Sequence, residues 1–255
     1  MALSIQSGAN LTNTYFDYLN GVDCKENIYG ERTLVDKKVS VFAVVSMSII
    51  FYSIGIGVVY PLIISTSHIE FSILVITGLA LGIFYTATPI ALKYCALGDI
   101  TIFISFGPLL MQATSFILVN SFSGVLHLYT IPIALLCEAI LHANNSRDIK
   151  VDSRAGIVTL ATFLGLSKSF LFYILLLAIA YIAIILIALF FHWGCLLCLF
   201  TIPVSLEIME SFRNGYMLNI TQDTAKLHLI FGLLYFVGVK FTKIGIYQAA
   251  FLLFV

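Results

Sequence analysis

The chain has 255 residues, of which 60% are apolar and only 10% charged, with a mean hydropathy of +1.05 and no net charge. Soluble domains hold about 45–50% apolar residues, so this composition excludes a water-soluble globular protein. The absence of net charge excludes bulk attraction to nucleic acid, and what is left is an integral membrane protein in a lipid bilayer.

The first informative stretch is GANLTNTYFDYLNGVDCKE, in which Asn10, Asn13 and Asp17 stand three and four residues apart. On a helix that spacing projects them from one face. A connection of mixed charge follows, with Lys25, Glu26, Glu31, Arg32, Asp36, Lys37 and Lys38. Residues 39 to 64 then contain no Asp, Glu, Lys, Arg or His. That run exceeds the roughly 20 residues needed to cross about 30 Å of hydrocarbon, and it predicts a spanning helix. Further apolar segments at 69 to 87, 97 to 119, 125 to 143, 164 to 191, 192 to 209 and 226 to 252 bring the expectation to about seven spans. Short alternating strands of the barrel type are absent, so the expected fold is an all-α polytopic bundle in one domain.

Between the fourth and fifth spans lies HANNSRDIKVDSRAGIVTL, where Asn144, Asp148 and Asp152 recur every four residues. This is a second Asx stripe. Lys93, Arg147, Lys150, Arg154, Lys168, Arg213 and Lys226 fall in every second connection, whereas the intervening ones, 61 to 70, 119 to 127 and 190 to 195, contain neither Lys nor Arg. The positive-inside rule makes the first set cytosolic; Lys240 and Lys243 in the tail fit less well. Most acids occupy that same face, and only Glu70 lies opposite.

Other features carry less. Cys195 and Cys198 form a CxxC inside an apolar helix with no second pair, which reads as buried thiols rather than a redox or metal centre. The sequons at Asn10, Asn144 and Asn219 fall on the expected cytosolic face, where glycosylation does not occur.

Clustered carboxylates at a membrane require a compensating partner, since a charged group at mid-bilayer costs about 2.5–3.5 kcal/mol or more. Mg²⁺ takes oxygen ligands and is commonly held by one or two carboxylates together with substrate phosphates. Two facing stripes therefore suggest a metal site for a diphosphate, with Lys93, Arg147 and Arg32 taking up the remaining charge. The competing reading is a solvated loop face with helix-capping Asx residues. Spacing leaves both open.

The stretches NLTNTYFDYLNGVD, ERTLVD, FYTATPIALKYCALGD, EAILHANNSRDIKVDSRAGIVTLA and SLEIMESFRNGYMLNITQDTAKLHL resemble, in this order, the UbiA superfamily of membrane prenyltransferases. Within it the chain is most similar to the animal branch that makes vitamin K2, or menaquinone, and the likeness runs from about Gly8 to about Gly238. The resemblance implies nine helices and a cytosol-facing active site capped by the loops after helices 2, 4, 6 and 8. On that scheme the chain enters at the end of helix 2, so helix 1 and most of helix 2 are expected to be lacking. A smaller departure is Ala87, Thr88 and Pro89, which stand where this branch has a glycine pair.

The activity implied is transfer of a geranylgeranyl-type polyprenyl group from its diphosphate to an aromatic naphthoquinone. Asn10, Asn13, Asp17, Asn144, Asp148 and Asp152 would hold Mg²⁺, with Asp17, Asp148 and Asp152 as the catalytic carboxylates. Lys93, Arg147, Arg32 and Tyr85 would bind the diphosphate, and Glu138 would orient the acceptor or take its proton, unless it is a buried hydrogen-bond partner. The family likeness also implies endoplasmic reticulum or Golgi membrane and a sterol-synthesis enzyme as a further partner. The alternatives are a UbiA-type enzyme for another aromatic acceptor, such as the ubiquinone precursor, and a non-catalytic prenyl-diphosphate-binding regulator. A transporter would need polar residues at mid-depth, whereas here they gather at one end.

Overall fold

The computed structural model describes residues 1–25, 27, 30–66 and 68–242. Glu26, Lys243 and the part of the expected last span beyond Thr242 lie outside the described residues. Among the described residues there are nine α-helices: α1 (Ala2–Leu19), α2 (Val41–Ser65), α3 (Ile69–Phe84), α4 (Gly98–Ile104), α5 (Leu110–Val119), α6 (Val125–Arg154), α7 (Leu160–Phe190), α8 (Ile202–Arg213) and α9 (Ile220–Phe241). Among the described residues extended backbone pairs at one place, a parallel bridge between Cys95 and Val158. The protein is an all-α, multi-pass membrane bundle.

Among the described residues six segments are long and apolar enough to cross a bilayer: Val41–Ser65, Gly98–Val119, Val125–Arg154, Leu160–Phe190, Trp193–Arg213 and Ile220–Phe241. The span expected at 69 to 87 is the 16-residue α3. At 1.5 Å per residue it reaches about 24 Å, short of about 30 Å of hydrocarbon. The span expected at 97 to 119 is broken: Pro108 cannot donate to the ladder, Gly107 leaves helical geometry at φ −101° and ψ −106°, and a wide turn over Ser105–Leu109 joins α4 to α5. Hydropathy also ends α6 too early. Its polar second half stays helical to Arg154, beyond the apolar run that ends near residue 143.

The chain divides into two compact units. The first comprises residues 1–101, 109–122 and 148–163. In it α1 packs on α2 and α3, and α3 packs on α5. Gly8 lets α1 approach the Tyr52 ring of α2, where an added Cβ would come within 3.1 Å. Thr12 and Ser48 hydrogen-bond across that interface at 2.8 Å, and Ser48 also donates to the Gly8 carbonyl. A small aromatic core of Phe71 stacked on Phe116 closes the far end of the unit.

The second unit comprises, of the described residues, 102–108, 123–147 and 164–242. Its core is built from Leu136, Ala139 and Ala143 of α6, Tyr173, Leu177 and Ile184 of α7, and Leu227 and Phe231 of α9. Two hydroxyl pairs tie it, the buried Tyr173 with Thr224 and the half-buried Tyr181 with Thr201, each at 2.8 Å. The 3₁₀ segment Trp193–Thr201 brings Cys195 and Cys198 onto one buried face, because residues three apart eclipse there. Both thiols are free, and Cys198 donates to the Phe231 carbonyl, in keeping with the buried-thiol reading.

Candidate functional site

The first Asx stripe occupies the last turns of α1. Asn20 and Gly21 end that helix: Gly21 takes φ +71°, its N–H reaches the Tyr18 carbonyl, and the Val22 N–H reaches the Asp17 carbonyl at 2.9 Å. This glycine-centred cap satisfies carbonyls that the helix leaves open. It also fixes Asp17 in the last turn, at the negative end of the helix dipole, where a carboxylate is disfavoured by about 0.3–1 kcal/mol unless a cation is near.

That cation is present in the fold. Lys93 lies within hydrogen-bond reach of two of the three stripe residues, 2.7 Å from Asp17 Oδ2 and 3.2 Å from Asn13 Oδ1. The other carboxylate oxygen, Oδ1, accepts from the Tyr94 hydroxyl at 2.7 Å. Asp17 and Lys93 are both buried, with side chains only 7% and 10% exposed. Burial first, and the adjacent Asp17 carboxylate next, push the Tyr94 phenol well above its ordinary range, so it remains a donor.

Lys93 and Tyr94 belong to a one-turn 3₁₀ segment, Leu92–Tyr94. Ala91 before it is left-handed at φ +47°, and the Lys93 N–H donates to the Tyr85 carbonyl at 2.7 Å. Gly98 beyond it lets the chain turn close to Lys93 and the Tyr85 hydroxyl; a Cβ there would sit 3.4 Å from Lys93 Cα.

The same segment ties the two stripes together. Val158 donates to the Tyr94 carbonyl at 3.3 Å, and Ala96 donates to the Val158 carbonyl at 2.7 Å. Val158 directly follows the end of α6, where Gly156 at φ +71° caps the helix and the Ile157 N–H donates to the Asp152 carbonyl at 2.9 Å. Asp152 is therefore to α6 what Asp17 is to α1. The sequence carries this as a pattern that spacing of the acids alone does not disclose: Asn13, Asp17, Gly21, Val22 in one stripe and Asp148, Asp152, Gly156, Ile157 in the other. Asp152 is buried and Asp148 half-buried, four residues apart and so on one face of α6.

The remaining candidates are placed differently. Asn10 is exposed and accepts from Gln6 Nε2 at 2.9 Å. Arg32 pairs with Asp36 through Nη2 and Nε, at 2.6 and 3.1 Å. Tyr85 caps α3 directly before the buried Thr86 and Ala87. In the second unit Arg147 donates to Asn144 Oδ1 at 2.9 Å and reaches Thr221 at 3.5 Å. Glu138 is buried in α6, one turn before His142. The His142 Nε2 lies 3.1 Å from the Ser169 carbonyl, which can only accept, so that nitrogen carries the proton. Tyr94 was not among the sequence candidates. Its adjacency to Lys93 on a short turn was the available signal.

The donor set suits a hard divalent cation: Asp17, Asn13, Asp148 and Asp152 offer only oxygen, and one amide and one carboxylate oxygen already share an ammonium group. The fold is that of a polytopic membrane protein in which a lysine-bearing loop pairs with an aspartate at the end of one helix and is hydrogen-bonded to the segment after a second aspartate-bearing helix end.

A model of the UbiA prenyltransferase family matches residues 1–243. The chain is 38% identical over 245 residues to UbiA prenyltransferase domain-containing protein 1 of Gallus gallus, covering 95% of this chain and 73% of that protein. Identity to the Homo sapiens protein of the same name is 36% over 244 residues, covering 95% and 72%. The Drosophila melanogaster homolog is 37% identical over 239 residues, covering 92% and 66%. The chain belongs to the UbiA prenyltransferase family.

Proposed function

We propose that this chain transfers a geranylgeranyl-type polyprenyl group from its diphosphate to a naphthoquinone-type aromatic acceptor, in the menaquinone branch of its family and in endoplasmic reticulum or Golgi membrane. The observation that carries the reading is the turn at Lys93: it holds Asp17 on one side and is hydrogen-bonded to the segment after Asp152 on the other. One short loop thus serves both carboxylate stripes. Family membership supports prenyl transfer; the acceptor rests on the likeness to the animal branch.

In this reading Asn13, Asp17, Asp148 and Asp152 hold Mg²⁺, which when bound offsets the charge that grows on the departing diphosphate. Lys93 supplies an ammonium to phosphate oxygens, a role suited to a compact point charge. Tyr94 keeps the Asp17 carboxylate in place. The apolar helices admit the isoprenoid chain and keep water from the allylic carbon after the C–O bond breaks.

The test is prenylation of menadiol by geranylgeranyl diphosphate in membranes containing the full chain, with Mg²⁺ and with chelator. Chelator-sensitive transfer that is lost in Asp148→Ala supports the proposal. Diphosphate binding without turnover moves the chain to the regulatory reading, and turnover indifferent to both Mg²⁺ and Asp148 removes the metal from it.

A further inference from the structure

Tyr94 touches a residue of the cluster without itself offering a ligand for a diphosphate, and what it does there follows from which oxygen it takes. Its hydroxyl engages Asp17 Oδ1, while Oδ2 faces the Asn13 amide oxygen, with the Lys93 ammonium shared between them. The two carboxylate oxygens are thus divided: one for a phenol, one for a cation.

Two backbone bonds hold the phenol in that position. The Tyr94 N–H donates to the Ala91 carbonyl at 2.8 Å, and its own carbonyl accepts from Val158 at 3.3 Å. The hydroxyl in turn joins this loop to the last turn of α1 through Asp17.

Division of the carboxylate bears on metal choice. Ca²⁺ takes six to eight oxygen ligands and readily accepts a carboxylate through both oxygens, whereas Mg²⁺ requires a compact octahedron and takes carboxylates through one oxygen. We propose that Tyr94 is a specificity-determining residue that holds Asp17 to one-oxygen ligation and so favours Mg²⁺ over Ca²⁺ at this site. The inference rests on the metal-dependent reading given under Proposed function. Tyr94 acts through Asp17 and is a positioning residue.

The experiment is binding of Mn²⁺ to the purified full chain in detergent with saturating inorganic diphosphate, read by electron paramagnetic resonance, with displacement by Mg²⁺ and by Ca²⁺. Asp17→Asn defines the background. Tyr94→Phe is expected to shift the Ca²⁺ to Mg²⁺ affinity ratio toward Ca²⁺ by about tenfold, within the range by which groups behind a metal ligand act. Tyr94→Leu provides a second variant without a donor, should the first not fold, and is expected to shift the ratio the same way. Tyr94→Gln, which retains an N–H donor, is expected to keep the wild-type ratio. An unchanged ratio in both donor-less variants, or one shifted toward Mg²⁺, overturns the inference while leaving the metal site intact. No Mn²⁺ binding above the Asp17→Asn background in the wild-type chain overturns the metal-dependent reading itself.

Discussion

Replacing Lys93 by Met tests whether the Asp17 cluster is a true buried ion pair. A unit pair at 2.7 Å attracts by about 6 kcal/mol at an effective dielectric of about 20. Most of that offsets the desolvation of two nearly buried groups, so the pair's net contribution is small while the cost of removing one partner is large. Lys93→Met leaves the Asp17 carboxylate with the Tyr94 hydrogen bond and no cation, at the negative end of α1. The expected loss is about 3–5 kcal/mol, the range for a buried charge deprived of its partner. Adding Asp17→Asn removes the orphaned charge and keeps an oxygen for Tyr94, so the double variant should be more stable than Lys93→Met by about 2 kcal/mol or more. Reversible unfolding in mixed detergent micelles, followed by circular dichroism, measures both. A Lys93→Met cost below about 1 kcal/mol, as for exposed pairs, or a double variant no more stable than the single one, would refute the reasoning.

Asp152→Ala should lower Mg²⁺-dependent transfer by about 100-fold and raise the Mg²⁺ concentration needed by about tenfold or more, measured as initial rate against metal concentration. Asp23, buried in the loop after α1, accepts from the Glu31 N–H at 2.9 Å, yet burial dominates and pushes its carboxyl up from 3.8 to about 6. A raised acid contributes stability in full below its unfolded value and loses it as pH rises through the folded one. Unfolding free energy should therefore fall between about pH 4 and 6 by up to about 1.4 kcal/mol per pH unit, and Asp23→Asn, which keeps the acceptor, should flatten that slope in a pH series. In the second unit α9 crosses the 3₁₀ segment through two glycines, and a Cβ on Gly238 would lie 2.8 Å from the Cys195 amide nitrogen. Gly238→Ala should cost about 1–3 kcal/mol. Gly232→Ala on the same helix meets only Ile133, at 3.9 Å, and should be near neutral in the same thermal unfolding assay.

Much of this was legible from composition. A run such as 39 to 64 has no alternative to a spanning helix, because lipid leaves the backbone no other partner. Hydropathy failed where geometry decided: it does not register the break at Gly107 and Pro108, and it ends α6 where the apolar residues end although the backbone continues to Arg154. The Asx stripes were visible because helical spacing is a local property. The partners of Asp17 were only partly so. Lys93 was a candidate by its charge and family motif, but contact over 76 residues of sequence separation depends on the left-handed turn at Ala91 and the bridge at Val158, neither of which has a residue signature. Tyr94 and Arg32 show the same limit from opposite sides, the first engaged with Asp17 and the second with Asp36, four residues away.

The placement of the acids carries the further step. A helix that merely needed a polar end would take Lys, Arg or an amide in its last turn, where exposed carbonyls repel carboxylates. Here Asp17 and Asp152 each stand four residues before a capping glycine, each with its own carbonyl accepting the N–H of the apolar residue after that glycine. Two unfavourable placements of one kind, on helices far apart in sequence and joined through a single loop, define two electronegative helix ends bound to one lysine-bearing turn. At Asp17 the cost is offset by the Lys93 ammonium, and such a charged helix end suits the proposed cation shared with an anionic ligand. The capping glycines serve that placement: each helps fix its aspartate at the end of its helix.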